Sequence, residues 1–129
     1  MAATADRSAV RRAAERRGRR AESLAVWLLR LKGYRLLARR YKTPVGEIDL
    51  IARRGRTIAF VEVKSRPTME EATEAAMPAG RRRIARAASL WLARNPGSAT
   101  WTLRFDVIVM APYRWPRHLI GVFDADGAA

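Results

Sequence analysis

Two short runs of β-branched, aliphatic and aromatic residues, Ile48-Asp49-Leu50-Ile51 and Phe60-Val61-Glu62-Val63, flank the polar break Arg53-Arg54-Gly55-Arg56. Such side chains pack well on a pleated surface, and a Gly-bearing break between two of these runs is the pattern of a β-hairpin. Each run carries one carboxylate, and Lys64 follows Glu62 by two positions. Burying an unpaired carboxylate is costly, so both acids need compensating partners. Two acids and a lysine on neighbouring strands form an oxygen-lined site beside a cation. That donor set can hold a divalent metal and activate water.

Strand geometry decides whether the groups meet. With a period of two, Glu47, Asp49 and Ile51 are expected on one face of the first strand, and Phe60, Glu62, Lys64 and Arg66 on one face of the second. A two-residue turn at Arg54-Gly55 places Asp49 opposite Phe60, with Glu62 its diagonal neighbour at roughly 7–8 Å. A four-residue loop is expected to set Asp49 directly opposite Glu62, whereas an odd loop length separates them. In the productive registers Asp49 and Glu62 are the expected ligands of Mg²⁺ or Mn²⁺, with the Val63 carbonyl as a further oxygen. Lys64 then faces the attacking water or the scissile phosphate, where it lowers the water's pKa or neutralises developing charge. The same spacing also fits a half-buried ion-pair cluster, Asp49–Lys64 or Glu62–Lys64, and spacing alone does not separate the two.

The flanking sequence supplies the rest of an α/β domain. Ala21, Leu24, Ala25, Leu28 and Leu31 follow helical spacing, with Gly33 as the stop, which predicts a helix over 8–32 that Gly18 weakens. Its first half is rich in Ala and Arg, so residues 1–18 read as a basic, partly frayed extension and 19–123 as one domain. An Arg-rich start is also the composition of a transit peptide, but the helical pattern runs through it without a break. Residues 34–41, 47–53 and 57–66 read as three strands, the last ended by Pro67. Glu70 to Arg94 is helical in character and interrupted by Pro78 and Gly80; its cleaner part is Arg81–Arg94, with Ile84, Ala87, Ala88 and Trp91 on one face. Residues 101–110 form a buried strand, Leu119–Phe123 a short one, and 124–129 a disordered tail. Helix, three strands, helix and strand give a mixed sheet: an antiparallel hairpin, a parallel strand after a helix crossover, and helices packed on it. Trp27 and Trp91 fall in helical apolar stripes and are expected in the core. Tyr41, Tyr113 and Trp115 are expected to cap it, and His118 to lie at the surface or a strand edge.

Composition narrows the chemistry. The 129 residues hold 26 Lys plus Arg against 12 Asp plus Glu, a formal charge of +14. A surface this basic concentrates polyanions, and Arg pairs with phosphate in bidentate fashion. The runs 16–20, 39–42, 53–56 and 81–86 are the expected polyanion surface, with Arg19, Arg20, Arg66, Arg81 and Arg82 as phosphate contacts. No cysteine is present, which excludes disulfides, thiolate metal sites and cysteine nucleophiles and fits a reducing, cytoplasmic compartment. A single histidine excludes a three-His zinc centre. The longest apolar stretches fall well short of the roughly 20 residues that cross a bilayer.

Gly46-Glu47-Ile48-Asp49-Leu50-Ile51 followed by Phe60-Val61-Glu62-Val63-Lys64-Ser65-Arg66 resembles the signature of the YraN-like family of small bacterial proteins. Glu22, Lys32-Gly33-Tyr34, Ala87-Ala88 and Arg104-Phe105-Asp106-Val107 are further matches, and the resemblance runs from about Arg17 to Phe123. That family is similar to restriction-endonuclease-like PD-(D/E)xK nucleases and to archaeal Holliday-junction resolvases. The resemblance implies the restriction-endonuclease-like core, Asp49, Glu62 and Lys64 in the three signature roles, Glu22 as an additional acid from the first helix, and a homodimer acting on structured DNA. Ile48 stands where the superfamily name has proline. Where family members generally carry a lysine before the second long helix, this chain has Gly80 and then Arg81-Arg82-Arg83, with Arg81 as the expected substitute. Two other function classes remain open at this point: a non-catalytic nucleic-acid-binding module of the same fold, and a basic interaction or assembly protein.

Overall fold

The structure is a computed structural model that describes residues 2–76, 81–98 and 100–123. Pro78, Gly80 and the tail 124–129 lie outside the described residues. Helix α1 (Ala2–Leu31) leads into strands β1 (Arg35–Thr43), β2 (Gly46–Arg54) and β3 (Thr57–Ser65). Helices α2 (Met69–Ala76) and α3 (Arg81–Arg94) follow, then a 3-10 turn (Pro96–Ser98) and strands β4 (Thr102–Met110) and β5 (Arg117–Phe123). The five strands form one sheet in the order β1-β2-β3-β4-β5, with β3 and β4 parallel and the other pairs antiparallel. The parallel pair needs a long crossover, which α2 and α3 supply. This is the mixed α/β sheet expected from the sequence. Among the described residues no helix is long and apolar enough to cross a membrane.

Helix α1 covers one face of the sheet. Its Ala21, Ala25, Val26 and Leu29 pack on Leu50, Ala52, Ala59, Val61, Ile108 and Met110. On the other face α3 lays Ile84, Ala87, Ala88 and Trp91 over Ile48, Ile51, Ile58, Phe60 and Phe105, and α2 lays Met69, Ala72 and Ala76 over Val107 and Val109. Phe60 stacks on Phe105 with ring centroids 5.4 Å apart and meets Trp91 edge-on at 5.8 Å. Caps set the helix ends. Gly33, at φ +88°, ends α1, with its N–H on the Arg30 carbonyl and the Tyr34 N–H on that of Leu29. The Thr68 hydroxyl accepts the Glu71 N–H at 3.1 Å and starts α2.

Several sequence expectations are corrected. Helix α1 starts at Ala2 rather than at residue 8, and it spans Gly18 as expected. Trp27 is 62% exposed rather than buried, because α1 faces the sheet with its alanines and leaves Leu24, Trp27 and Leu31 outside. Tyr113 and Trp115 are also fully or almost fully exposed, on the segment between β4 and β5. His118 lies on edge strand β5, yet its side chain is only 3% exposed.

Burial of His118 reflects a polar cluster under the α1 side of the sheet. Asp106 has no solvent contact and accepts two hydrogen bonds from the Arg104 guanidinium, at 2.9 and 2.8 Å. It accepts a third from the Gly121 N–H at 3.0 Å and meets His118 Nε2 at 2.7 Å. Lys32 Nζ stands 2.6 Å from His118 Nδ1. An ammonium only donates, so Nδ1 accepts and the Nε2 proton points at Asp106. Arg104 also bonds the Tyr34 hydroxyl. Burial alone would raise the Asp106 carboxyl, but the His118, Arg104 and Gly121 hydrogen bonds outweigh it and hold the group below its ordinary value. The cluster ties the turn after α1 to β4 and β5.

Removing the buried acid leaves the part-buried Arg104 guanidinium, the His118 ring N–H and the Gly121 N–H without their acceptor, so Asp106→Ala is expected to cost about 2–4 kcal/mol in urea unfolding. Because the folded pKa is depressed, the contribution is complete above the unfolded carboxyl's range and is lost as pH falls through the folded value. Asp106→Asn should therefore flatten the acid limb of the stability profile. A loss under 1 kcal/mol in both variants would contradict this role.

Candidate active site

Strand β2 breaks its own alternation at Asp49. Ile48 and Ile51 both pack on the α3 side, whereas Leu50 packs under α1. Strand β1 breaks in the matching place: Ala38 and Tyr41, paired with Ile51 and Ile48, also both face α3. The two residues between them on each strand turn to the α1 side. Arg39 reaches the Ser23 hydroxyl at 3.5 Å and Arg40 the Glu22 carboxylate at 2.7 Å. Asp49 lines a cleft beneath α1. The expectation that Asp49 and Ile51 share a face is therefore overturned. A regular strand would have given Asp49 and Leu50 opposite faces.

The hairpin register pairs Arg54 with Thr57 and Leu50 with Val61, so the turn residues are Gly55-Arg56, one position later than expected. Gly55, at φ +60°, supplies the left-handed turn conformation. Continued by one residue, this register sets Asp49 level with Glu62, but the paired ladder stops at Leu50–Val61. In its place the Asp49 carboxylate accepts the Val63 N–H at 2.8 Å. A side chain thus takes over the acceptor role of the backbone and keeps Asp49 between the strands. Val63 packs toward α1, and the Glu62 carboxylate is near enough for its charge to act on Asp49. Lys64, at the end of β3, forms a 3.2 Å ion pair with Glu62 and borders the cleft.

The cleft, about 240 Å³, is lined by Ala14, Arg17, Gly18, Ala21 and Glu22 from α1, by Asp49, and by Val63, Lys64, Ser65 and Arg66 from β3 and its end. Burial pushes Asp49 up to about 6; the Val63 N–H opposes this, the charges of Glu62 and Glu22 add to it, and Lys64 reduces it. Glu62 is also raised, first by burial, with Lys64 and Arg66 opposing. A larger groove of about 520 Å³ beside Trp91 and Trp101 carries no acid among its lining residues. Among the described residues no three His, Cys, Asp or Glu side chains form a ready metal cage. The donors present are the Asp49 and Glu62 pair, with Glu22 across the cleft.

Of the sequence-derived site residues, Glu22, Asp49, Val63, Lys64 and Arg66 line this cleft, and Glu62 adjoins it through Lys64. Arg19 and Arg20 are exposed on α1 and are not among its lining residues, and Arg81 and Arg82 open α3 on the opposite face of the sheet. One cleft residue, Arg17, was expected only as part of the basic run 16–20. Arg17 stands one turn before Ala21, beside a four-residue spacing of Ala14, Gly18 and Glu22 that could have revealed the lining face. Arg40, expected only as part of the basic run 39–42, meets the cleft through its ion pair with Glu22.

An α/β protein with a mixed five-stranded sheet and two half-buried carboxylates, Asp49 and Glu62, at one strand end is thus defined by fold and site. Residues 21–110 match the model of the uncharacterised protein family UPF0102, and the chain belongs to that family, in line with the YraN-like resemblance. It is similar to the UPF0102 protein of Methylorubrum extorquens (strain PA1), 55% identical over 127 residues that cover 98% of this chain and 99% of the relative. The UPF0102 protein of Parvibaculum lavamentivorans is 60% identical over 107 residues, covering 83% and 80% respectively. That of Chelativorans sp. is 55% identical over 115 residues, covering 89% and 93%.

The Asp49 environment has a measurable cost. The folded chain keeps its proton up to about pH 6, whereas the unfolded chain releases it near 3.8, so stability falls as pH rises between those values and stays lower above them. Asp49→Asn, which can still accept the Val63 N–H, should be more stable than wild type at pH 7.5 by on the order of 1–2 kcal/mol. The difference should vanish below pH 4. An Asn variant less stable than wild type at pH 7.5 would contradict the assigned environment.

Proposed function

We propose that the cleft is a metal-dependent phosphodiester hydrolysis site acting on nucleic acid, with structured DNA as the substrate that the family resemblance implies. The observation that carries this reading is the Asp49 carboxylate, held by the Val63 N–H in a cleft that Glu22, Lys64 and Arg66 also line, with Glu62 ion-paired to Lys64 at its border. Crowded carboxylates of this kind suit a hard divalent cation such as Mg²⁺ or Mn²⁺, which takes one or two such oxygens and keeps its waters. In this reading Asp49 and Glu62 hold the ion, with the Val63 carbonyl as a further oxygen. The bound ion would lower the pKa of a coordinated water and stabilise charge on phosphate oxygens.

The chain's own side chains supply the remaining roles. Asp49 is oriented by the Val63 N–H, so its carboxylate keeps one position between the strands. Lys64, adjacent to Glu62, offers its ammonium to the attacking water or the phosphate. Glu22 acts as the auxiliary acid from α1. Arg17 and Arg66, on the cleft wall, and the net charge of +14 favour a polyanionic substrate. The Glu62–Lys64 ion pair favours a second reading, a nucleic-acid-binding module without turnover, because it engages the lysine that hydrolysis would use.

Purified protein incubated with four-way branched, single-stranded and duplex DNA separates the readings. Cleavage is expected with Mg²⁺ or Mn²⁺, absent with chelator, abolished in Asp49→Ala and reduced about 100-fold or more in Lys64→Ala. Absence of cleavage with either metal at any protein excess would overturn the enzymatic reading, as would full activity in Asp49→Ala. Salt-dependent binding that ignores chelator, without cleavage, would support the binding module instead.

A further inference from the structure

Arg40 and Tyr113 are the non-glycine residues with positive φ among those described, and Arg40, at φ +50°, lies inside a strand. An L-residue adopts this left-handed conformation at a steric cost, and such outliers cluster where the surrounding structure exploits them. Register places Arg40 level with Asp49, since Arg39 pairs with Leu50 and Tyr41 with Ile48. This is the point where both strands abandon alternation. A glycine would take the conformation freely, so the presence of arginine calls for a role of its side chain. That side chain crosses to α1 and pairs with Glu22 at 2.7 Å. Glu22 is mostly buried, and it faces a cleft that already contains Asp49. Without a cation, two carboxylates in so small a space repel, and Glu22 would swing toward solvent.

We propose that Arg40 is a positioning residue of the cleft: its left-handed backbone turns the guanidinium to the α1 side, where it holds the Glu22 carboxylate beside Asp49. The proposal deepens the hydrolytic reading and rests on it for the catalytic consequence. Arg40 does not touch the reacting phosphate in this account. It is therefore removed from the polyanion surface that the run 39–42 suggested and assigned to the site's internal geometry.

Three full-length variants separate backbone from side chain. Arg40→Gly keeps the left-handed turn and removes the guanidinium, Arg40→Ala strains the turn as well, and Arg40→Lys keeps a charge without the planar fork. Thermal unfolding of Arg40→Gly is expected at or above the wild-type midpoint, with Arg40→Ala several degrees below Arg40→Gly. In Arg40→Gly, ¹³C relaxation of the Glu22 side chain should fall from restricted motion to that of exposed Glu15, with partial recovery in Arg40→Lys. Where wild type cleaves DNA, Arg40→Gly and Glu22→Gln should each lower kcat about tenfold or more with little change in KM. The double variant should be no worse than either. An ordered Glu22 in Arg40→Gly, or equal destabilisation by Gly and Ala, would overturn the proposal. Should wild type prove inactive, the hydrolytic reading fails by itself, and the mobility of Glu22 still decides the part played by Arg40.

Discussion

The hydrogen bond from the Val63 N–H to the Asp49 carboxylate organises this molecule's most unusual region. Where the β2–β3 ladder would continue, a side chain replaces the backbone as acceptor, and the strands part around it. The carboxylate is thereby held half-buried on the cleft wall, where burial raises its pKa against the pull of the Val63 N–H. Everything proposed for the cleft depends on that placement. A solvated Asp49 would be an ordinary surface acid, with no reason to prefer a cation to water.

Buried Asp106 and half-buried Asp49 show how environment divides structural from chemical roles. Asp106 is surrounded by donors, among them Arg104, His118 and the Gly121 N–H, and its carboxyl is held below its ordinary value. All of its acceptor capacity is spent inside the protein, so it fastens α1, β4 and β5 together. Asp49 has a single backbone donor and two acids for neighbours, and its carboxyl is held high. Such a group gains from the arrival of a positive charge, whereas Asp106 has no such need. The first cluster anchors the turn just after α1, and α1 carries Glu22 and Arg17 to the second.

Much of the fold was legible because its signals are local. The β-branched hairpin around Arg53–Arg56 and the apolar face Ile84, Ala87, Ala88 and Trp91 follow from period and composition. Asp49, Glu62 and Lys64 were visible as charges inside apolar strands. What escaped depends on contacts distant in sequence. Helix α1 carries two apolar stripes, and periodicity cannot say which meets the sheet; close packing selected Ala21 and Ala25 and left Trp27 outside. The His118 side chain is buried where Lys32 and Tyr34, from the turn after α1, and Asp106, from β4, converge on it. The matched reversals in β1 and β2 had no sequence marker, since the left-handed residue is arginine rather than glycine. Asp49 therefore reached the cleft by a route that simple alternation does not describe.

Calorimetric titration of Mn²⁺ at several pH values, in buffers of different ionisation enthalpy, tests the central claim most directly. If Asp49 is a buried carboxyl of pKa about 6 that awaits a cation, metal binding should release protons near pH 6 and none by pH 8. Asp49→Asn should lose the tight binding and the proton release together. Equal heats from wild type and variant, or binding without proton release at pH 6, would contradict the account.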